Sequence, residues 1–220
     1  LIAARHNKPT VQQGDLEEAR EKVRWGRERR SLEISDKEKY MTAVHEAGHA
    51  VCLLKTDLAK SLPLHKVTII PRGRSLGATW YLPEERVNHN VEHFMHKLAG
   101  LVAGRVAEQR LMGVTSTGAL NDLERTTKTA YAMVAYYGMS PKVGNVSFYD
   151  AAGQRDMFTK PFSERTAELI DDEVRRIVDE AVALATEIIE RDRENISRLA
   201  DLLIAKETIF GEDIESILGK

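Results

Sequence analysis

The longest unbroken helical pattern in the chain runs from Ser163 to about Arg191, and it limits the folds open to the sequence. Apolar residues recur along it at spacings of three and four, which is the period of an α-helix. A helix of this length extends for about 40 Å, so it must pack against several other elements or against another subunit. Helical patterns also cover most of the remaining chain, and the sequence therefore predicts a mainly α fold.

Two short segments between the helical stretches have the β-branched pattern of strands. They are HKVTIIPRG at 65–73 and GATWYLP at 77–83, both bounded by proline and glycine, and they could pair as a hairpin. The other predicted elements are helices near 15–25, 36–54, 91–111, 122–137 and 196–205, and a final turn near 212–218. We therefore expect a helical domain with one small β-hairpin or sheet.

Composition excludes several classes of protein. A net charge of −2 over 220 residues argues against a nucleic-acid-binding protein. The single cysteine, Cys52, excludes an intrachain disulfide and a cysteine-based zinc site. No apolar run approaches the roughly 18 residues of a membrane span, and no signal peptide is recognisable. Because the chain opens at Leu1 without a methionine, we expect it to be a fragment of a longer polypeptide.

The stretch MTAVHEAGHA places His45 and His49 four residues apart, with Glu46 beside the first. On a helix such positions share one face, with about 5–6 Å between Cβ atoms, so both imidazoles can reach one metal ion. Glu46 is rotated by about 100° and can reach a water molecule in an open coordination position. Gly48 costs a helix about 1 kcal/mol relative to alanine, which we interpret as close approach of another backbone segment. The alternative is an amphipathic helix with two histidines at the core edge.

A catalytic zinc ion needs a third protein ligand. The extended motif with a third histidine fails here, because Cys52 and Lys55 occupy its glycine and histidine positions. Two candidates remain: Glu108 in a later predicted helix, and Asp122 where a loop of small residues enters a helix. Three further histidines lie in a polar neighbourhood and are predicted to be surface residues: His89, His93 and His96.

Asp122 also has a purely structural interpretation. Asn121 could cap the following helix, with Glu124 completing a capping box. A carboxylate in the first helical turn is favoured by the helix dipole by roughly 0.3–1 kcal/mol. On the residues alone, helix capping and metal binding both account for Asp122.

Four blocks of sequence, in this order and at these spacings, are similar to a known family. They are HEAGHA, HKVTIIPRGRSLGATWYLPEE, LAGLVAGRVAEQ and STGALNDLERTTKTAYAMV. Over residues 34–220 the chain resembles the FtsH family of membrane-bound, ATP-dependent zinc metalloproteases, and the segments FTKPFSE and LIAKETIFGEDIE fit it as well. Residues 1–33 resemble the last helices of that family's AAA ATPase lid and a linker.

This resemblance implies a zinc metalloendopeptidase domain of the H-E-x-x-H type, mainly helical, with a small β-hairpin near the active site. The implied Zn2+ ligands are His45, His49 and Asp122, and Glu46 is the implied catalytic base for the attack of water on a peptide bond. ATP and Mg2+ would belong to an ATPase domain that is absent here, since the chain has no G-x-x-x-x-G-K-[ST] motif. An extended substrate could pair with one of the two strands, or the hairpin could simply cover the core.

The resemblance also implies partners and a location. The implied assembly is a homo-oligomer, a hexamer, that degrades unfolded and membrane proteins in protein quality control. The parent would lie in the bacterial inner membrane with its peptidase on the cytoplasmic face, or else in an organelle membrane, while the fragment itself would be soluble and make no membrane contact. The alternative is a non-catalytic helical oligomerisation module with a structural zinc site. Glu46 argues against it, because a structural site has no use for a base.

Overall fold

The computed structural model describes residues 1–29, 33–73, 75–82, 88–149 and 162–218, except for the side chains of Arg24 and Trp25. Helices dominate the described ranges, as the sequence predicts. The helices are α1 (Ile2–Arg5), α2 (Gln13–Trp25), α3 (Asp36–Leu54), α4 (Val91–Ala107), α5 (Leu120–Ala135), α6 (Glu164–Arg191), α7 (Arg193–Lys206) and α8 (Gly211–Leu218). Single turns of 3-10 helix occur at Asp57–Lys60 and Thr117–Ala119.

The long helix α6 confirms the prediction to within one residue. Ser163 is its N-cap, and the Ser163 side chain accepts a hydrogen bond from the backbone N–H of Thr166. Helix α4 is shorter than predicted, because a π-helical turn at Glu108–Met112 follows it and Gly113 ends that turn at a φ of 71°. None of the helices in the described ranges is long and apolar enough to cross a membrane.

Three antiparallel strands form a small sheet in the order β2-β1-β3, with β1 at Leu64–Thr68, β2 at Ala78–Tyr81 and β3 at Thr208–Phe210. The predicted hairpin is confirmed: Lys66 on β1 lies opposite Trp80 on β2. Strand β3 was not predicted, because three residues are too few to show an alternating pattern. Within the described residues β2 has a strand on one side only, so it is an edge strand.

Helix α4 lies between two hydrophobic clusters. The α3 cluster joins α4 to α3, α7 and the end of α6, and it includes Val51, Ala103 and Leu199. The α5 cluster joins the other side of α4 to α5 and the first half of α6, and it includes Met133 and Ile170. Helices α3 and α4 approach closely, so this arrangement brings the histidine face of α3 towards the start of α5.

Candidate metal centre

Three side chains from two helices bring metal-binding atoms together beside α4. His45 and His49 lie on α3, and Asp122 lies in the first turn of α5. The Nε2 atoms of His45 and His49 are 3.0 Å apart. Asp122 Oδ2 lies 3.4 Å from the first of these nitrogens and 3.5 Å from the second. Donors arranged tetrahedrally at about 2.0–2.1 Å from a zinc ion are about 3.3 Å from one another, so these three atoms fit one such ion.

Local sequence explains how each helix delivers its donors. Helix α3 begins after Ser35, which forms a capping box with Glu38. The capping box predicted at Asn121 is wrong, because α5 already begins at Leu120 and its N-cap, Ala119, makes no side-chain hydrogen bond. The carboxylate of Asp122 therefore serves no cap and is directed to the two histidines.

Glycines set the distance between α3 and α4. A Cβ added at Gly48 would lie 2.9 Å from the carbonyl oxygen of Ala103, which confirms that Gly48 allows close backbone approach. A Cβ added at Gly104 would lie 2.5 Å from His45 Nε2, at the donor atom itself. The space occupied by His45 Nε2 therefore exists because position 104 has no side chain.

The far ring nitrogens of both histidines are also bound. His49 Nδ1 is 2.7 Å from the carbonyl oxygen of Gly100, which can only accept, so Nδ1 is the donor in this hydrogen bond and Nε2 is the nitrogen that lies in the donor triangle. His45 Nδ1 is 2.6 Å from Glu108 Oε1. Such partners orient metal-binding histidines and fix their tautomers. Glu108, the second candidate ligand from the sequence, thus contacts His45 on the nitrogen opposite to the donor triangle.

The cluster of charges is suited to a cation. Burial lowers the pKa of His45, but hydrogen bonds with Asp122 and Glu108 and the charge of Glu46 outweigh this and raise the pKa to about 10. Burial raises the pKa of Asp122, but hydrogen bonds with His45 and His49 hold it well below its usual range. A proton on His45 thus supplies the positive charge that the carboxylates stabilise, and a metal ion would replace that proton.

Glu46 lies next to the donor triangle and is held by the sheet. Its side chain is buried, and Thr79 Oγ1 on β2 donates a 2.7 Å hydrogen bond to Glu46 Oε2. Gly77 lies against the same side chain, because a Cβ added there would be 2.8 Å from Glu46 Cγ and Oε1. Tyr81 Oη donates to the carbonyl oxygen of His49 at 3.3 Å, so strand β2 contacts α3 at two points.

The sequence identified the candidate site residues on α3 but not the residues on α4 and β2 that contact them. Gly100 and Gly104 are four residues apart on one helical face, a signal of close approach that could have been recognised. Thr79 gives no such signal, since a β-branched residue is ordinary in a strand. One of the three histidines predicted to lie at the surface, His89, is exposed. Its ring stacks on that of His93, with the ring centroids 4.0 Å apart. Neither ring belongs to the donor triangle.

The helical fold and the H-E-x-x-H helix define a metalloendopeptidase domain. Residues 32–217 match the family model described as Peptidase family M41, and the chain belongs to this family. The resemblance seen in the sequence is thereby confirmed.

Proteins named "ATP-dependent zinc metalloprotease FtsH" are similar to the chain in several bacteria. The protein of Parabacteroides distasonis is 48% identical over 100% of the chain, which covers 32% of that protein. The protein of Rhodothermus marinus is 45% identical, again over 100% of the chain and 32% of the relative. The protein of Akkermansia muciniphila is 43% identical over 99% of the chain and 28% of the relative. The chain thus spans about a third of the length of these curated relatives.

Proposed function

We propose that the chain is a zinc-dependent endopeptidase domain in which His45, His49 and Asp122 bind Zn2+ and Glu46 is the general base. The observation that carries the proposal is the donor triangle together with the buried carboxylate of Glu46, which lies beside the triangle and is not one of its three donors. Three protein donors leave a fourth position free, as catalytic zinc requires. The zinc in the names of the relatives supports the same metal.

Glu46 has the position and the contacts of a base that moves a proton. Zinc in such a site supplies a Lewis acid that polarises a carbonyl and lowers the pKa of water. Glu46 accepts the proton of the attacking water and returns it to the amine that leaves. Thr79 Oγ1 donates a hydrogen bond to Oε2 of the carboxylate, and Gly77 packs beside Oε1, where a side chain would displace the carboxylate. The base is therefore oriented before substrate arrives.

Strand β2 is the proposed binding edge for an extended peptide. Within the described residues it has a strand partner on one side only, and its Thr79 contacts the proposed base. An added peptide strand gains backbone hydrogen bonds with little dependence on its side chains. That suits an enzyme that cleaves unfolded chains, and it favours substrate pairing over a purely covering role for the hairpin.

For the parent protein we propose a membrane-anchored, ATP-driven homo-hexamer that degrades unfolded and membrane proteins. In this proposal residues 1–33 are the end of the ATPase lid and a linker, and residues 34–220 are the peptidase domain. ATP and Mg2+ would bind to the ATPase domain outside this chain. Support comes from the family resemblance, from the relatives' printed description as ATP-dependent, and from their threefold greater length. We propose the bacterial inner membrane as the location of the parent, with the peptidase on the cytoplasmic face, and an organelle membrane as the alternative.

The alternative, a non-catalytic module with a structural zinc site, is not favoured. A structural site closes its fourth position with another protein ligand. Among the residues that the structure describes, three donors converge, and the neighbouring carboxylate of Glu46 accepts a hydrogen bond from Thr79 instead.

Metal content and a single isosteric substitution test the proposal. The chain purified without chelators should carry about one zinc ion. Glu46→Gln should keep zinc and fold but hydrolyse casein about 100-fold more slowly or worse, because only the proton acceptor is lost. Glu168→Gln, an exposed glutamate on α6, is the matched control and should retain full activity. Absence of any transition metal, or an equally active Glu46→Gln, would refute the assignment.

A further inference from the structure

Among the side chains of helix α2 that the structure describes, a charged one makes the contact with the sheet region while two large apolar ones are exposed. Its side chains Leu16 and Val23 are 56% and 87% exposed. Glu21, on the same helix, is only 4% exposed. A buried carboxylate on a helix whose Leu16 and Val23 side chains are exposed indicates that its charged partners help to fix the helix in place.

Two cations from the sheet region converge on Glu21. Arg72 Nη2 lies 2.8 Å from Glu21 Oε2, and Lys66 Nζ donates to Glu21 Oε1. Both cationic side chains are largely buried. Arg72 forms a second ion pair with Glu28, just after α2. Removing one member of a buried ion cluster leaves uncompensated charge, so loss of Glu21 would take this carboxylate from Lys66 and leave Arg72 paired with Glu28 alone.

Arg72 begins a turn that leads to Gly77, and Gly77 contacts the proposed base, Glu46. The backbones of Arg72 and Ser75 exchange two hydrogen bonds of 2.9 Å. The Ser75 hydroxyl donates to the carbonyl oxygen of Gly77, and Gly77 lies against Glu46. The path from Glu21 through Arg72 to Glu46 therefore consists of contacts without a gap.

The other cation reaches the same glutamate through the strands. Lys66 on β1 lies opposite Trp80 on β2, with its ammonium 4.6 Å from the centre of the Trp80 ring. The neighbouring residue, Thr79, donates the hydrogen bond to Glu46. Glu21 thus contacts Arg72 directly and Trp80 through Lys66, and Gly77 and Thr79, which lie between them in the sequence, contact the proposed base.

The backbone after α2 reinforces this connection. Arg29 N donates to Pro71 O at 2.8 Å, and Gly73 N donates to Arg27 O at 3.3 Å. A Cβ added at Gly26, whose φ is 91°, would lie 3.4 Å from the Gly73 backbone. Helix α2 and the turn beyond β1 are therefore joined by main-chain as well as side-chain contacts.

We propose that Glu21 is a positioning residue of the peptidase: it holds Lys66 and Arg72 so that Gly77 and Thr79 stay in contact with Glu46. Displacing α2 from the sheet would then loosen the base and leave the metal-binding residues untouched. The orientation of the segment preceding the peptidase domain would in this way control turnover. The inference rests on the proposed peptidase function, with Glu46 as its base.

Glu21→Gln is the test, because it keeps the size of the side chain and removes the charge. Glu18→Gln, at an exposed position on the same helix, is the matched control. On a quenched fluorescent peptide, Glu21→Gln should lower kcat by about threefold to thirtyfold relative to Glu18→Gln, with equal zinc content. Hydrogen–deuterium exchange at residues 75–82 should also become faster, while exchange in α3 stays the same. Equal kcat and equal exchange in the two variants would overturn the inference.

A second variant covers the case in which Glu21→Gln does not fold. Lys66→Met keeps an apolar chain over Trp80 and leaves the Arg72 pair intact, so it should lower kcat in the same direction but by less. A Lys66→Met variant with unchanged kcat and exchange would then overturn the inference. Failure of the proposed function looks different: wild-type chain would not cleave the peptide, or Glu46→Gln would cleave it equally well. In that case the exchange difference at 75–82 still decides whether Glu21 positions the segment.

Discussion

Glu108 and Asp122 both contact His45, but on opposite ring nitrogens, so replacing them should have different consequences. Glu108 accepts hydrogen bonds from His45 Nδ1 at 2.6 Å and from Ser116 N at 2.7 Å. The amide in Glu108→Gln has a single oxygen, so one of these two N–H donors must face an NH2 group. Asp122→Ala instead removes one of the three atoms that surround the proposed ion.

The structure sets the size of each effect. A buried donor left without a partner costs about 1–3 kcal/mol, which lowers Tm by about 2–12 °C in a chain of this size. Partners of metal-binding histidines change metal affinity by about 10–100-fold, so Glu108→Gln should raise the zinc Kd by that factor, equivalent to about 1.4–2.7 kcal/mol. It should nevertheless bind one zinc ion when zinc is in excess. Asp122→Ala should not retain zinc through gel filtration, because two imidazoles alone hold it poorly.

Competition with a chromogenic chelator measures the zinc Kd of each variant. Thermal unfolding in the presence of EDTA measures the loss of stability in Glu108→Gln without any contribution from bound metal. The reasoning would be refuted if Asp122→Ala kept one zinc ion per chain while Glu108→Gln lost it. The third ligand would then be Glu108.

Two further predictions concern the metal-binding pocket and acid stability. Gly104→Ala should abolish zinc binding, because the added methyl group would lie 2.5 Å from His45 Nε2. Gly14→Ala, where the methyl meets no atom within 4 Å, should leave metal content unchanged, and zinc retained equally by both variants would contradict the geometry. For acid stability, a hydrogen bond from Arg176 is the main reason why the pKa of Glu173 is lowered to about 2. Because this folded-state pKa lies below the ordinary value of 4.5, the stabilisation is complete above about pH 4.5 and is lost as the pH falls towards 2. Urea unfolding between about pH 6 and pH 3 should therefore show a smaller loss of stability in Glu173→Gln than in wild type, and parallel pH profiles would exclude this role.

The helices were largely predictable because each one repeats its pattern over many residues. Helix α6 shows its apolar period over about seven turns, and its first helical residue is Glu164 because Ser163 serves as the N-cap. Strand β3 shows no pattern of its own, since it exists only because its three residues pair with β1, more than a hundred positions earlier. The π-helical turn after Ala107 has no sequence signature either, because its hydrogen-bond pattern depends on the packing around it.

The part of the candidate site that could be predicted is the part whose positions follow from the geometry of a single helix. Spacing of four on α3 is sufficient to bring His45 and His49 to one point. Spacing cannot decide between Glu108 and Asp122, because both carboxylates reach His45 in the folded chain. What separates them is the nitrogen that each one contacts, and that depends on how α4 and α5 are placed around the imidazole ring.

The donor triangle also joins the two hydrophobic clusters on either side of α4. Both histidines stand on the helix that anchors the α3 cluster, while Asp122 opens the helix that anchors the α5 cluster. An ion bound by all three acts as a covalent staple would, closing a loop of about 70 residues between His49 and Asp122, and a cross-link of that span is worth about 4 kcal/mol in chain entropy. Chelation would therefore lower the stability of the whole domain as well as remove the metal needed for catalysis.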